Sequence, residues 1–253
     1  MNVLCTDLDN TIIYSYKHDI GDAKRNVEIY QEREISFITN KTFELLKEVN
    51  EKYMIIPTTT RTIEQYNRIN LGIGDFKYAL VCNGGILLKD GVIDEAWYKE
   101  SKRLVQSSDT EIQKAIAYLE NDSRRKFELR YIEELFVFTK CNEPETVVEE
   151  LTEYLNSPLV NIFHNGEKVY VVPVSLSKGE AIKRLRSYLH INKIFAAGDS
   201  EFDISMVEEA DAGFVPFGFK QQFYIKSDIF EMDKEKIFSE SLLEACLAHD
   251  FRE

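Results

Sequence analysis

The sequence lacks the features that mark membrane, secreted and nucleic-acid-binding proteins. No apolar stretch approaches the roughly 18 to 20 residues needed to span a bilayer, and the N-terminus has neither the basic start nor the small-residue cleavage site of a secretory signal. Positive charge is in deficit, and the formal net charge of −13 repels phosphate backbones and anionic membranes. We therefore expect a cytoplasmic protein whose partners include neither nucleic acid nor a membrane. A small anionic substrate is compatible with this charge, and the oligomeric state stays open.

Cysteine is scarce and scattered. The four cysteines, at positions 5, 82, 141 and 246, show no CxxC spacing, and three of them lie in apolar or amphipathic runs, as reduced core thiols do. The chain also lacks internal repeats, low-complexity tracts and linkers rich in proline, glycine or serine. We expect neither disulfides nor a zinc site.

What the sequence does contain is a regular alternation of apolar and amphipathic stretches. With 253 residues, 44% of them hydrophobic, the chain can bury one large core, or one core and a smaller satellite domain. The alternation predicts an α/β fold with a mainly parallel sheet. The predicted core strands are residues 3–6, 54–57, 78–82, 169–172, 194–197 and 213–215. Helical periodicity is clearest over residues 42–50, 178–189 and 203–210.

The middle third of the chain follows a different order. Its pattern predicts a hairpin around 89–91, helices at 109–119 and 144–155, and strands at 126–131, 135–140 and 159–164. Strands that follow one another without a helix indicate antiparallel pairing, so residues 86–168 are predicted to form an α+β module inserted into a core of residues 1–85 and 169–253. The Asn83-Gly84-Gly85 turn is the predicted first crossing, with the return near Gly166.

The first chemically informative segment is at the end of the first predicted strand. Asp7 and Asp9 follow an apolar run and precede the hydroxyl of Thr11. A pair of acids at a strand tip is costly to desolvate, so it needs a cation or a cradle of hydrogen bonds. A simple turn stabilised by the Asp side chains is the alternative.

Two further segments place polar groups at strand ends. Residues 58–60 are three threonines that follow an apolar strand and precede Arg61, whose fork suits a phosphate or a carboxylate. The threonines could equally cap a helix. Ser177 and Glu180 have the spacing of a capping box, which places Lys178 in the first helical turn, where it could reach an anion or remain a surface lysine.

A fourth segment, Gly198 to Asp203, again follows an apolar strand. Asp199 lies at the strand tip, and Asp203 comes four residues later, where it could also form a capping box with Ser200. Because ligands bind at the carboxyl ends of strands in open α/β sheets, we expect the four segments to meet.

In this order, the segments DLDNT, TTTR, SKGEA and GDSEFD resemble the four motifs of the haloacid dehalogenase superfamily of phosphohydrolases. The module between the second and third segments resembles the α/β cap of the Cof-like type IIB branch, including the Asn-Gly-Gly turn that leads into it. The resemblance covers nearly the whole chain. It implies a Rossmann-like catalytic core, residues 1–85 and 169–253, with a type C2B cap over 86–168.

The resemblance also implies roles for individual residues. Phosphoryl transfer needs a nucleophile in line with the leaving oxygen and positive charge around the transferring group. Asp7 matches the family nucleophile that forms an aspartyl-phosphate, and Asp9 matches the general acid and base. Thr59, Arg61 and Lys178 match the phosphate-binding groups. The implied cofactor is Mg²⁺, held by Asp7, the backbone carbonyl of Asp9, Asp199 and Asp203, with Asp203 as a ligand or as a support for the ligands.

Three features depart from the family pattern. Beyond the fourth motif, Val215-Pro216-Phe217-Gly218 stands where the family often has a small-residue Asn-Ala turn. Phe202 stands where the fourth motif commonly has Asn, which removes a polar contact near the site. The stretch from Tyr14 to Phe37 is longer than usual, and residues 26–35 have much of the alternation of a strand pair. We hypothesise an enlarged flap near the entrance, whose deletion over residues 17–32 would change substrate preference or KM more than stability.

The implied function is Mg²⁺-dependent hydrolysis of a small phosphorylated metabolite, such as a sugar phosphate. A phosphomutase-type transferase is the nearest alternative, and it needs basic residues in the module for a second phosphate. Arg124, Arg125, Lys126 and Arg130 could provide them, or could form a solvated charge run. A non-catalytic binding protein on the same scaffold is the other alternative.

Overall fold

A computed structural model of the chain describes residues 1–156, 158–225 and 229–248. The strands within them are β1 (Asn2–Thr6), β2 (Tyr14–Ser15), β3 (Lys24–Tyr30), β4 (Arg33–Thr39), β5 (Met54–Pro57), β6 (Tyr78–Val81), β7 (Ile86–Lys89), β8 (Val92–Ile93), β9 (Arg130–Ile132), β10 (Phe136–Lys140), β11 (Val160–Asn165), β12 (Lys168–Pro173), β13 (Lys193–Ala197), β14 (Ala212–Val215) and β15 (Phe230–Glu231). The helices are α1 (Asn40–Lys52), α2 (Ile63–Tyr66), α3 (Glu95–Val105), α4 (Asp109–Asn121), α5 (Pro144–Tyr154), α6 (Lys178–Leu189), α7 (Ile204–Glu209), α8 (Phe219–Gln222) and α9 (Phe238–Ala248). One-turn 3₁₀ helices cover Gln106–Ser108 and Glu201–Asp203.

The chain divides into two compact units. Unit 1 comprises Met1–Ile93 and the described residues from Lys178 onward, and unit 2 comprises Asp94–Ser177. These bounds lie beyond the predicted borders at 85/86 and 168/169, because β7 and β8 pair with β6, whereas β12 pairs with β10 and β11. Residues 226–228 and 249–253 of the predicted core segment lie outside the described residues.

The main sheet of unit 1 is parallel, with the strand order β15-β14-β13-β1-β5. Its central strands are buried on both faces, which explains their continuous apolar runs. Leu4 of β1 and Phe195 of β13 share a core cluster with Leu46 of α1 and Leu242 of α9. α7 contacts β13 and β14 and packs on α6. The predicted parallel core is confirmed for β1, β5, β13 and β14.

Two predicted core strands pair differently from expectation. Residues 78–81 form β6, which is antiparallel to β7 and is joined to the end of β5 by a parallel bridge between Thr58 and Leu80. The prediction for 169–172 is wrong, because β12 is antiparallel to β10 and β11 in unit 2. An apolar run has the same appearance in either kind of sheet when both of its faces are covered. The predicted hairpin around 89–91 is confirmed as the β7–β8 turn.

Unit 2 has its own sheet, with the order β11-β12-β10-β9 and antiparallel pairing throughout. Side chains from α4, α5 and the strands form one buried cluster, which includes Leu119, Val137, Leu151 and Val171. The prediction of an α+β module is confirmed in its architecture.

The β3–β4 hairpin follows the first motif and forms a sheet with β2 in the order β2-β4-β3. A regular strand turns successive side chains to opposite faces, but the register shifts around Glu28 let both Val27 and Glu28 be buried. Val27 lies in the same core cluster as Leu4. The predicted strand pair is therefore confirmed, and the burial of Val27 in the core argues against the hypothesis that deleting residues 17–32 would alter substrate preference or KM more than stability.

The four cysteines are free and buried. Burial raises the pKa of the Cys5 and Cys246 thiols to about 12. In the described part of the chain, no helix is both long and apolar enough to cross a membrane.

Candidate active site

The carboxyl ends of three neighbouring strands bring the predicted site residues to one edge of the main sheet. The Asp7 amide donates to the carbonyl of Ala197 at 2.9 Å, which joins the tips of β1 and β13. The Thr58 amide donates to the carbonyl of Thr6 at 2.8 Å, which joins the tips of β1 and β5. Asp7 directly follows the tip of β1, and Thr59 and Asp199 come two residues after the tips of β5 and β13.

Lys178 lies between two acids. It is the first residue of α6, and its Nζ lies 2.6 Å from Asp7 Oδ1 and 2.5 Å from Asp203 Oδ1. Burial alone would lower the pKa of Lys178, but the charges of Asp203 and Asp7 outweigh burial and raise it. Since its side chain is 1% exposed, the alternative of a surface lysine is wrong.

Asp203 uses both of its oxygens within the protein. While Oδ1 receives Lys178, Oδ2 accepts from the amides of Asp199 at 3.2 Å and Ser200 at 3.0 Å, and from the Ser200 hydroxyl at 2.8 Å. The capping box and the ionic role therefore coexist. A Cβ on Gly198 would lie 2.2 Å from Asp203 Cβ and Cγ, so only glycine allows this approach.

Asp7, Asp199 and Asp203 form a cluster that could hold a metal ion, because each offers an oxygen and these atoms lie within 4.8 Å of one another. Burial, and then the charge of Asp203, raise the pKa of Asp199 to about 7. Burial also raises the pKa of Asp7 well above its usual range, despite the opposing effect of Lys178. Crowded, buried carboxyls of this kind are stabilised as anions by a bound cation.

Two residues of the first motif support this cluster, although they were not predicted to do so. The Thr11 hydroxyl donates to Asp199 Oδ1 at 3.3 Å, and the Asn10 side chain also hydrogen-bonds to Asp199. Their signal lay in the motif itself, which places an amide and a hydroxyl directly after the two acids.

The three threonines after β5 have different surroundings. Thr58 donates its hydroxyl to the carbonyl of Ile56 at 3.2 Å, in the strand that it follows. Thr59 is fully buried, and its Oγ1 accepts from the Arg61 amide at 3.2 Å. A hydroxyl that accepts at this position still has its own proton to donate.

Arg61 binds carboxylates. Its Nε and one terminal nitrogen donate to the two oxygens of Asp9, both at 2.7 Å. The terminal nitrogens also donate to the two oxygens of Glu28, at 2.8 and 2.9 Å, and to the carbonyl of Gln65 at 3.2 Å. These bonds occupy the five N–H donors of a guanidinium. Of the two ligands that the Arg61 fork suits, the structure therefore places carboxylates on it.

Glu28 was not predicted as a site residue. It lies in the middle of β3, where its neighbours Val27 and Ile29 are apolar, and nothing in the sequence links it to Arg61. The Asp9 carboxylate, for its part, lies outside the cluster of Asp7, Asp199 and Asp203.

A family model described as haloacid dehalogenase-like hydrolase matches residues 91–215, a span that includes unit 2, Lys178, Asp199 and Asp203. With the parallel sheet and the strand-end acids, this match, over just under half of the chain, indicates the class: the chain is similar to the haloacid dehalogenase-like hydrolases, which are enzymes. This is the family that the four motifs predicted.

Individual relatives agree with this class. A phosphoglycolate phosphatase from Sulfurisphaera tokodaii is 24% identical over 204 residues, which cover 79% of this chain and 77% of the relative. The sucrose-phosphatase from Synechocystis, solved with sucrose and phosphate, has a TM-score of 0.71 and 18% identity over 99% of this chain and 98% of its own. A haloacid dehalogenase-like hydrolase from B. subtilis has a TM-score of 0.59 and 14% identity over 98% and 99%. At these identities the structural likeness establishes the fold.

Proposed function

We propose that this protein is a Mg²⁺-dependent phosphatase that hydrolyses a small phosphate monoester through an aspartyl-phosphate on Asp7. One observation carries the proposal: the buried Asp7 carboxylate lies 2.6 Å from Lys178 Nζ, in a cluster with Asp199 and Asp203. A nucleophile beside a fixed cation is the arrangement that phosphoryl transfer requires.

In the first half of the reaction, an oxygen of Asp7 attacks phosphorus and the ester P–O bond breaks. Asp9, in its protonated form, gives its proton to the departing alkoxide. The ammonium of Lys178 and the hydroxyl of Thr59 stabilise the charge on the phosphoryl oxygens. The product alcohol leaves, and the phosphoryl group stays on Asp7.

In the second half, water attacks the phosphorus of the aspartyl-phosphate. Asp9, now a carboxylate, accepts a proton from that water, and the bond between Asp7 and phosphorus breaks. Inorganic phosphate is released, and both aspartates return to their initial state.

The donor set fits Mg²⁺. Its members are carboxylate oxygens, the ligand type that Mg²⁺ prefers, and the raised pKa values of Asp7 and Asp199 indicate a deficit of positive charge. Asp7 and Asp199 would hold the ion directly, together with the backbone carbonyl of Asp9. Asp203, whose oxygens are already bonded, would hold Lys178 and the Asp199 turn. When bound, the ion neutralises the carboxylates and the substrate dianion.

A sugar phosphate or a similar small metabolite is the substrate class we favour. The support is the sucrose-phosphatase fold neighbour, whose structure holds sucrose and phosphate, and the phosphoglycolate phosphatase relative. Unit 2 would serve as the cap that selects the substrate.

Release of phosphate from a panel of sugar phosphates and other monoesters tests the proposal. Wild type should be active with Mg²⁺ and inactive with chelator, and Asp7→Asn should lose at least about 10³-fold in kcat because it lacks the nucleophile. Asp75→Asn, a matched change at an exposed aspartate, should retain activity. Equal turnover by wild type and Asp7→Asn would refute the assignment.

Three of the four basic residues of unit 2 that the phosphomutase alternative would use are in ion pairs. Arg124 is paired with Asp122 and Glu150, Lys126 with Glu167, and Arg130 with Glu128. These pairs reduce the positive charge that a second phosphate would need. Phosphate release without a bisphosphate activator would reject the mutase, and Mg²⁺-dependent turnover would reject the non-catalytic binding protein.

A further inference from the structure

Glu28 is a buried acid that the proposed chemistry does not use. Its side chain is 0% exposed and receives four hydrogen bonds: two from Arg61, one from Arg68 Nε at 3.0 Å and one from the Ser36 hydroxyl at 2.6 Å. These donors outweigh burial and lower the pKa of Glu28, so it is a carboxylate. A fully buried, fully bonded anion is a fixed point in the structure.

Arg61 connects this fixed point to the catalytic surface. The exposed fraction of the side chain rises from 0% at Glu28 to 12% at Arg61 and 49% at Asp9. The guanidinium is planar, so a bidentate bond on one edge and a second carboxylate on the other define the orientation of both acids. The Asp9 carboxylate would otherwise turn about its own side-chain bonds.

Glu28 is held on a packed strand. Glu28 lies in β3, whose Val27 packs in the core of unit 1 and accepts a backbone hydrogen bond from Asn70 at 2.9 Å. A residue on a packed strand holds its partner more accurately than one on a mobile loop.

We propose that Glu28 is a positioning residue: it locks the Arg61 fork, and through Arg61 it orients the Asp9 carboxyl group for its role as general acid toward the leaving group. This inference rests on the proposed function of Asp9. Glu28 touches neither Asp9 nor the reacting atoms, so its effect is transmitted entirely by Arg61.

The test compares two esters of similar size that differ in their need for a proton. Phenolate is a poor leaving group and needs protonation, whereas 4-nitrophenolate departs readily without it. For Glu28→Gln we expect kcat/KM to fall about tenfold with phenyl phosphate but less than about threefold with 4-nitrophenyl phosphate. The reason is that the substitution disturbs only the orientation of the proton donor, Asp9, which 4-nitrophenolate does not need. kcat/KM is the right quantity because it reports the steps through departure of the alcohol.

The matched control is Glu111→Gln. Glu111 is also a buried glutamate bonded to a basic side chain, Lys114, but it lies in unit 2 and contacts none of the proposed site residues among its recorded partners. Its kcat/KM should stay close to wild type with both esters. Glu28→Asp keeps the charge and should recover part of the loss with phenyl phosphate.

A double-mutant cycle removes the remaining ambiguity. If Glu28 acts through Asp9, Glu28→Gln should cost nothing further in an Asp9→Asn background. If Glu28→Gln does not fold, Arg61→Lys carries the same test, because it keeps the charge but loses the fork.

Equal losses with both esters, or additive losses in the cycle, would overturn the inference and assign Glu28 a structural role only. These outcomes are distinct from failure of the proposed function, in which wild type itself releases no phosphate from either ester or from the wider panel.

Discussion

At the scale of single residues, the site is a balance of buried charge. Asp7 and Asp203 share one lysine, and Asp199 lies beside them with only neutral donors among its described contacts. Negative charge therefore exceeds positive charge within the cluster. The balance makes the site both dependent on Lys178 and receptive to a cation.

Replacing Lys178 tests the first half of this statement. Lys178→Met leaves two buried carboxylates without their cation, and breaking a buried pair in this way costs about 3–5 kcal/mol of unfolding free energy. We also expect kcat to fall at least about 100-fold, because the phosphoryl oxygens lose a stabilising charge. Chemical denaturation and phosphate release measure the two effects. Lys183→Met, at an exposed lysine of the same helix, is the control, and equal stability of the two variants would contradict the prediction.

Metal removal and pH test the second half. The pKa of Asp199 is raised to about 7 in the folded protein, above about 4 for an unfolded chain. Between these two pH values, the folded protein therefore binds a proton on Asp199 that the unfolded chain does not bind. The stabilisation that comes from this proton is fully present below about pH 4 and is lost as pH rises through about 7. In chelator, denaturant unfolding should show lower stability at pH 8 than at pH 5. Mg²⁺ should restore more stability at pH 8, where it does not compete with a proton.

The control for this measurement is Asp199→Asn, which should show a smaller loss of stability between the two pH values in chelator. A metal-free wild type whose pH dependence matches that of Asp199→Asn would contradict the prediction.

At the scale of elements, the β3–β4 hairpin combines a structural and a functional role. The bulge around Glu28 turns two consecutive side chains inward, so that Val27 enters the core and Glu28 meets Arg61. A hairpin without the bulge would bury only one of them. Deleting residues 17–32 should therefore unfold unit 1 rather than simply change KM.

Point substitutions in β3 separate the structural role from the functional one. Val27→Ala should cost about 2 kcal/mol, because it leaves a cavity at a residue that is 3% exposed. Ile29→Ala, at 59% exposure in the same strand, should change stability by less than about 0.5 kcal/mol. Denaturant unfolding of both variants decides, and equal costs would show that the hairpin is not anchored through Val27.

At the scale of the whole molecule, each compact unit has a core of its own. The cluster of unit 2 draws every member from residues 112–171, between the crossings at 93/94 and 177/178. A segment with a self-contained core and a complete antiparallel sheet meets the requirements of an independent domain.

A fragment of residues 94–177 should therefore fold alone. We expect a cooperative thermal transition by circular dichroism and a mixed helix and strand spectrum. Leu151→Ala should lower the midpoint strongly because Leu151 is fully buried, and Glu149→Ala at an exposed position should not. A non-cooperative melt of the unmutated fragment would show that unit 2 depends on the rest of the chain.

Much of the fold and of the site follows from sequence, and the exceptions have physical causes. β1, β5, β13 and α6 were predictable because buried parallel strands and amphipathic helices have distinct periodicities, and strand-end acids are rare enough to be informative. The sheet to which β12 belongs could not be predicted, since the sequence of an apolar strand does not indicate which strand it pairs with. The Glu28–Arg61 contact could not be predicted either, because a charge pair between residues 33 positions apart leaves no local pattern.

The burial of all four native thiols has a practical consequence. Thiol-reactive dyes attack exposed thiolates, and burial both shields these cysteines and raises the pKa of Cys5, Cys141 and Cys246. Cysteines introduced at exposed Tyr224 of unit 1 and Tyr154 of unit 2 would therefore be labelled selectively, without first removing the native ones. Energy transfer between a dye pair at these positions would follow the separation of the two units in solution while substrate is being turned over.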